Sequence, residues 1–265
     1  MSWTAWDPAP LVLGAAALAL WRFWHGFLRL RRRGRHDHAG WDRALLFTAG
    51  LALATLPLVS PLDAEADRLL SVHMLQHVLV GDAAPALLVV SLRGPLLAFV
   101  LPVGLGRLLA RVERLPVWMS LAAWAAAIGA WHVPAAYDGA LANGTVHDLE
   151  HASFVAVGVL VWTQLVDPAR RRRLSAAQRL AFAGCLFALG QILSDVLFLA
   201  GPLYPAYASS SDQQLAGLVM MVEQTAALGL FAAVLLRKMM VKAALATPSG
   251  GGAGFAGAAV LNNAR

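Results

Sequence analysis

Five histidines in this chain are spaced as metal ligands could be. His73 pairs with His77 and His147 with His151, and His132 lies between the pairs in sequence. On a helix, an i, i+4 spacing puts two imidazoles on one face about 40° apart. There they can chelate a single ion, and neutral imidazole is the commonest protein metal ligand. Coincidence or interhelical hydrogen bonding produces one such pair just as readily. Two pairs plus a fifth histidine make a stronger pattern. Histidine with methionine and no thiolate suits copper, zinc fits imidazole as well, and histidine with carboxylates also suits iron. The single cysteine, Cys185, leaves neither a disulfide framework nor a thiolate cluster within one chain.

Four further residues are secondary candidates for the same site. Met74 neighbours His73, Asp138 follows His132, Asp212 opens the last apolar run, and Asp195 lies near the end of the one before it. Methionine is common apolar filler, so Met74 reads more readily as packing than as a ligand. A carboxylate such as Asp195 reads as an orienting partner for an imidazole rather than a direct ligand. His25, His36 and His38 belong to a basic stretch and read as solvated or headgroup-facing.

The elements that must position these side chains follow from composition. Of 265 residues, 59% are hydrophobic and 14% charged. Soluble domains carry nearly twice that share of charge and less apolar content, so a soluble enzyme is excluded and lipid is the natural solvent. Apolar runs of the length a membrane helix needs occur near 10–28, 44–60, 69–91, 117–136, 147–166, 179–200 and 213–236. The stretch 94–114 is broken by Pro95, Pro102, Gly104 and Gly106 and carries Arg107, Arg111 and Arg114. It reads as an interfacial amphipathic segment. The fold class expected is therefore an all-α integral membrane protein, a bundle of seven transmembrane helices.

Net charge is +6, which in a soluble protein would suggest nucleic acid. Here the basic residues report orientation instead. Six follow span 1 or lead into span 2, four lie between spans 3 and 4, five between spans 5 and 6, and three after span 7. Only Arg68 falls in the alternate loops. Short cytoplasmic loops accumulate Lys and Arg, so the N-terminus is expected outside and the C-terminus inside. All five histidines then fall toward the outer side, with His73 and His77 about 7 and 13 Å below the start of span 3 at roughly 1.5 Å per residue. Span 4 ends in Trp131-His132-Val133-Pro134, where Pro134 favours a kink or helix end.

The first span lacks a basic region before it and is expected to stay as an anchor rather than be cleaved. One domain is expected over 1–242. A Gly/Ala-rich cytoplasmic tail, expected to be flexible, takes up 243–265. No internal repeat is visible. Asp82 and Glu223 lie deep in their spans, where charge is costly, and are expected to be neutral or hydrogen-bonded toward the bundle interior. The tryptophans lie mostly near span ends and read as interface anchors.

These stretches resemble the CtaG-like family of membrane assembly factors for caa-type cytochrome c oxidase. The resemblance is carried by His73-Met74-Leu75-Gln76-His77 with Ala84-Pro85-Ala86-Leu87-Leu88, by Trp131-His132-Val133-Pro134 with Tyr137-Asp138, and by His147-Asp148-Leu149-Glu150-His151 leading to Phe154. Pro202-Leu203-Tyr204-Pro205-Ala206-Tyr207 and Asp212-Gln213-Gln214-Leu215-Ala216-Gly217-Leu218 complete it. One departure stands at Met220-Met221-Val222-Glu223-Gln224, where the family pattern has a Met-Trp pair and then Pro-Gly. The resemblance implies an assembly protein of the bacterial inner membrane rather than an enzyme, with an oxidase subunit as partner and copper maturation as its plausible role. It says nothing of oligomeric state.

Two other readings compete on the residues alone. A b-type haem electron carrier would use paired histidines such as His73 and His151 as axial ligands. A transporter or proton relay would run through Asp82, Asp195 and Glu223. A membrane metallohydrolase is the weakest, because no His-Glu-x-x-His is present.

Overall fold

Apolar runs, proline breaks and polar caps together set the helices of a computed structural model that describes residues 6–112, 114–169, 173–207 and 209–246. No strand occurs among these residues. Helix α1 spans Pro10–Arg32 and α2 Trp41–Val59, followed by the short α3 (Pro61–Ala66). Pro61 has no N–H to offer the carbonyl of Pro57, four residues back. The Gln76 side-chain amide donates to that carbonyl instead at 2.9 Å, which ties α2 to the next helix.

Residues Leu70–Ser91 form one apolar helical stretch in three parts: α4 (Leu70–Val78), a π-helical turn (Leu79–Ala83) and α5 (Ala84–Ser91). Pro85 cannot donate to the Gly81 carbonyl, and just before it the turn widens so that the Ala84 N–H bonds the Leu79 carbonyl. Asp212, in the first turn of the last helix, caps the start of α4. Its carboxylate accepts from the Leu70 N–H at 2.6 Å, from the Ser71 N–H at 3.4 Å and from the Ser71 hydroxyl.

The stretch expected at the interface folds as α6 (Pro95–Val100) and α7 (Val103–Val112). Nothing on α7 is buried, and Val103, Leu105 and Leu108 are exposed. Arg22 donates to the Val100 carbonyl at 2.7 Å, and Arg43 to the Arg93 carbonyl at 2.7 Å. The basic side chains of α1 and α2 therefore hold this segment in place.

The fourth apolar run departs from the expected single span over 117–136. Helix α8 (Val117–Trp131) stops at His132, Val133 is extended, and Pro134 opens a separate α9 (Pro134–Ala142). Proline disfavours helical conformation in the residue before it, which explains the break. Helix α10 covers Gly144–Val166, with Asn143 as its N-cap accepting from the N–H groups of Thr145 and Val146. Helix α11 covers Ala176–Leu199 behind a Ser175/Gln178 capping box. The last helix, α12, runs from Ser210 to Ala246, past the point where the flexible tail was expected to begin; the rest of that tail lies outside the described residues.

Six helical stretches, with Leu70–Ser91 taken as one, are long and apolar enough to cross a membrane; α8, at 15 residues, is shorter. Helix α10 lies directly on the π turn. A Cβ on Gly158 would come within 2.0 Å of the Gly81 carbonyl oxygen, and one on Gly81 within 2.9 Å of the Phe154 Cβ. Only glycine permits that approach, which seats α10 on the π turn and α5.

Candidate metal centre

Because α10 packs at Gly158 on Gly81 of the π turn, the i, i+4 histidine pairs that precede these glycines in the two helical stretches converge. His73, His77, His147 and His151 each turn a ring nitrogen into a common space, with all four nitrogens within 4.8 Å of one another. His73, His77 and His151 are buried, and His147 is half-buried. The His73 and His77 Nε2 atoms are 2.8 Å apart. The rings meet edge-on or tilted, with centroids 4.3 Å apart for His73–His77, 5.2 Å for His77–His151 and 4.4 Å for His147–His151.

Proton accounting orients the first imidazole. The Tyr207 hydroxyl donates to the Ala66 carbonyl at 2.8 Å, and the same oxygen lies 3.0 Å from His73 Nδ1. Burial pushes Tyr207 up to about 12, so it keeps the single proton that goes to Ala66. His73 must then donate from Nδ1–H, which leaves its Nε2 lone pair facing the cluster. His77 supplies the proton between the two Nε2 atoms, and its own Nδ1 has no partner. A cation could take that proton's place. The Nε2 atoms of His147 and His151 are likewise buried without partners. Unpaired buried polar atoms are costly, and these two, converging with the His73–His77 nitrogen pair on one space, fit a metal ion.

Glu150 adds charge. Its side chain is 1% exposed, neither oxygen has a hydrogen-bond partner, and Oε1 lies 3.8 Å from His77 Nε2. Four neutral imidazoles would leave a bound cation's charge uncompensated, and Glu150, ionised in its presence, would offset part of it. Nothing in the sequence set Glu150 apart except its place between two histidines. Tyr204 and Tyr207 were visible only as parts of a proline-rich stretch; Tyr204 donates to the His132 carbonyl at 2.9 Å.

The other sequence candidates are placed differently. His132 caps the end of α8 outside the four-nitrogen group, with its ring centroid 6.3 Å from that of His77. Its Nδ1–H donates to the Ile128 carbonyl at 2.8 Å, and its Nε2 is buried without a partner. Met74 is fully buried among Leu70, Tyr137, Leu197 and Tyr204, as a packing residue. Asp212 caps α4. Asp138 is half-buried, with an unpartnered Oδ1. The structure does not bring Asp195 to the cluster: it is exposed on α11, although its neighbour Ser194 is buried. Trp162 is buried rather than interfacial, and its indole N–H donates to Asp82.

Histidines in direct ring contact leave no porphyrin-sized gap between α4 and α10, so this geometry favours a small ion over haem. A comparison with curated proteins and one with solved structures found no match. The family model for the cytochrome c oxidase caa3 assembly factor (Caa3_CtaG) matches residues 8–242, so the chain belongs to that family.

Proposed function

We propose that this protein binds copper at the His73–His77–His147–His151 group and passes it to a subunit of the caa3-type oxidase during assembly, without catalysing a reaction of its own. The observation that carries this reading is the convergence of four ring nitrogens within 4.8 Å in a buried position. Imidazole donors without thiolate suit copper as cargo. His147, the half-buried member, is where an ion enters. Tyr207 holds His73 in the tautomer that offers Nε2, and Glu150 balances the added charge. His132 stands next to the group as an additional donor.

The same reading takes α8 as a seventh span, shortened by the break at Val133. Fifteen residues rise about 22 Å against roughly 30 Å of hydrocarbon, so α8 would need the α9 turn or local thinning to reach the interface. The distribution of Lys and Arg supports an outside N-terminus and a cytoplasmic C-terminus in a bacterial plasma membrane. The cluster then lies on the side where an exported oxidase copper domain would fold.

The test is elemental analysis and an absorption spectrum of the detergent-purified protein after loading with Cu(I). One copper bound through the cluster, with no Soret band, is expected. No copper retained by protein that still restores the oxidase would overturn the reading.

A further inference from the structure

Past the histidine cluster, between α4, α8, α10, α11 and α12, lies a cavity with room of about 60 Å³ for water-sized occupants. That is space for about four waters. His77 and His132 line it, as do Asp82, Met220, Glu223 and Gln224. Asp82 lies five residues beyond His77, about 7 Å further along the helix. On the far side of Asp82, Trp162, Leu165, Leu186 and Leu228 line a smaller pocket that shares Asp82 and Gln224 with this cavity.

Its polar groups are unusual for a helix bundle of this composition. The carboxyl groups of Asp82 and Glu223 are in hydrogen-bond contact, so they share a proton, and the Trp162 indole N–H donates to Asp82. His132 is 8% exposed and His77 6%, and each carries an unpartnered nitrogen: Nε2 of His132 and Nδ1 of His77. Two carboxyl groups and two free imidazole nitrogens around one small space are expensive in an apolar bundle unless a ligand uses them.

We propose that this cavity is a second cation site, separate from the four-histidine group. It takes a first-row divalent cation at the Asp82–Glu223 pair, with the imidazoles of His132 and His77 toward its other end. Carboxylate with imidazole is a donor set suited to such ions. Binding is an exchange: the cation enters, the proton shared by the two carboxyl groups leaves, and both become acceptors only. His77 links the two positions, because its Nε2 meets His73 while its ring lines the cavity. An ion leaving the cluster passes one side chain to reach the pair. The carboxyl pair that carries the cavity site lies outside the four-histidine group, so the site does not depend on the cluster being a copper site.

Equilibrium dialysis of the purified full chain against Zn(II), followed by elemental analysis, tests it. Wild type should hold two equivalents. Asp82→Asn and Glu223→Gln, which keep shape and hydrogen-bonding capacity, should each hold one. A His147→Ala/His151→Ala double variant should also hold one, the cavity ion. Two equivalents in Glu223→Gln, or a single wild-type equivalent that is lost in the double-histidine variant, would overturn the cavity site and leave the carboxyl pair as an interhelical hydrogen bond. Two equivalents in the double-histidine variant would overturn the four-histidine reading alone.

Discussion

The Tyr207 hydroxyl oxygen lies 3.0 Å from Nδ1 of His73, a residue 134 positions earlier in the chain. Tyr207 sits in the loop between α11 and α12, outside the helices that carry the histidines, and its proton is committed to the Ala66 carbonyl. A loop residue thus decides which nitrogen of a helical histidine faces the cluster. Outer partners of this kind fix imidazole tautomer and ring orientation in metal sites.

Tyr207→Phe keeps the ring and removes that acceptor. We expect metal affinity of the purified protein to fall roughly 10- to 100-fold, the usual effect of losing such a partner, at near-normal membrane abundance. A competition titration with a chromophoric chelator measures it. Unchanged affinity would mean that His73 is oriented by its ring neighbours alone.

His73→Ala, His77→Ala or His151→Ala should each abolish metal binding at the cluster and oxidase maturation. Their loss should leave the fold, held by many helix–helix contacts, in place. His36→Ala and His38→Ala should change neither property. Asp195→Ala should also be silent, since its side chain is exposed on α11. Metal content and oxidase activity measured in membranes of equal protein level decide this. Full occupancy in all three histidine variants would reduce the cluster to hydrogen bonding between helices.

The histidine cluster was legible because i, i+4 spacing is a property of any helix, and both pairs lie near the starts of apolar runs. The end of α8 was legible from Pro134. Which way a helix is turned was not: Ser194 is 1% exposed and Asp195 beside it is exposed, a step of 100° that depends on how α11 packs against α12. Gly81 and Gly158 look like ordinary helix glycines until the two helices are placed together. Asp212 was grouped with the metal candidates for its acidity and position, yet its oxygens are taken up by α4 backbone N–H groups. Capping across helices leaves no local signature. Glu150 and Tyr207 act through distances no spacing encodes.

Asp212→Ala should destabilise rather than impair chemistry directly. It leaves the Leu70 and Ser71 N–H groups without their partner, and losing an N-cap costs about 1 kcal/mol. Thermal unfolding in detergent should shift down, and Asp212→Asn should recover part of the loss. A variant with wild-type stability but no bound metal would instead return Asp212 to the site.

Reporter fusions after Ala142 and after Leu174 should report opposite compartments, with Ala142 outside. These positions flank α10, one of the six helices long and apolar enough to cross a membrane. The same compartment at both would remove α10 as a span and with it the outer placement of the cluster.

Gly158→Ala tests whether close helix approach builds the site. The new Cβ would sit 2.0 Å from the Gly81 carbonyl oxygen and 2.9 Å from the Pro85 ring. Neither neighbour is the free end of a flexible side chain, so α10 must move away from the π turn. Overpacking of this kind costs about 1–3 kcal/mol. The displacement separates the helix carrying His147 and His151 from the one carrying His73 and His77, so metal affinity should fall together with thermal stability. Gly184→Ala is the matched control, because a Cβ there meets nothing within 4 Å and the residue is exposed on α11. It should leave both properties unchanged. If Gly158→Ala bound metal like wild type, the convergence of the four histidines would not depend on the Gly81–Gly158 contact, and the cluster would have to be held by Tyr207 of the α11–α12 loop and by the Asp212 cap at the start of α12 instead.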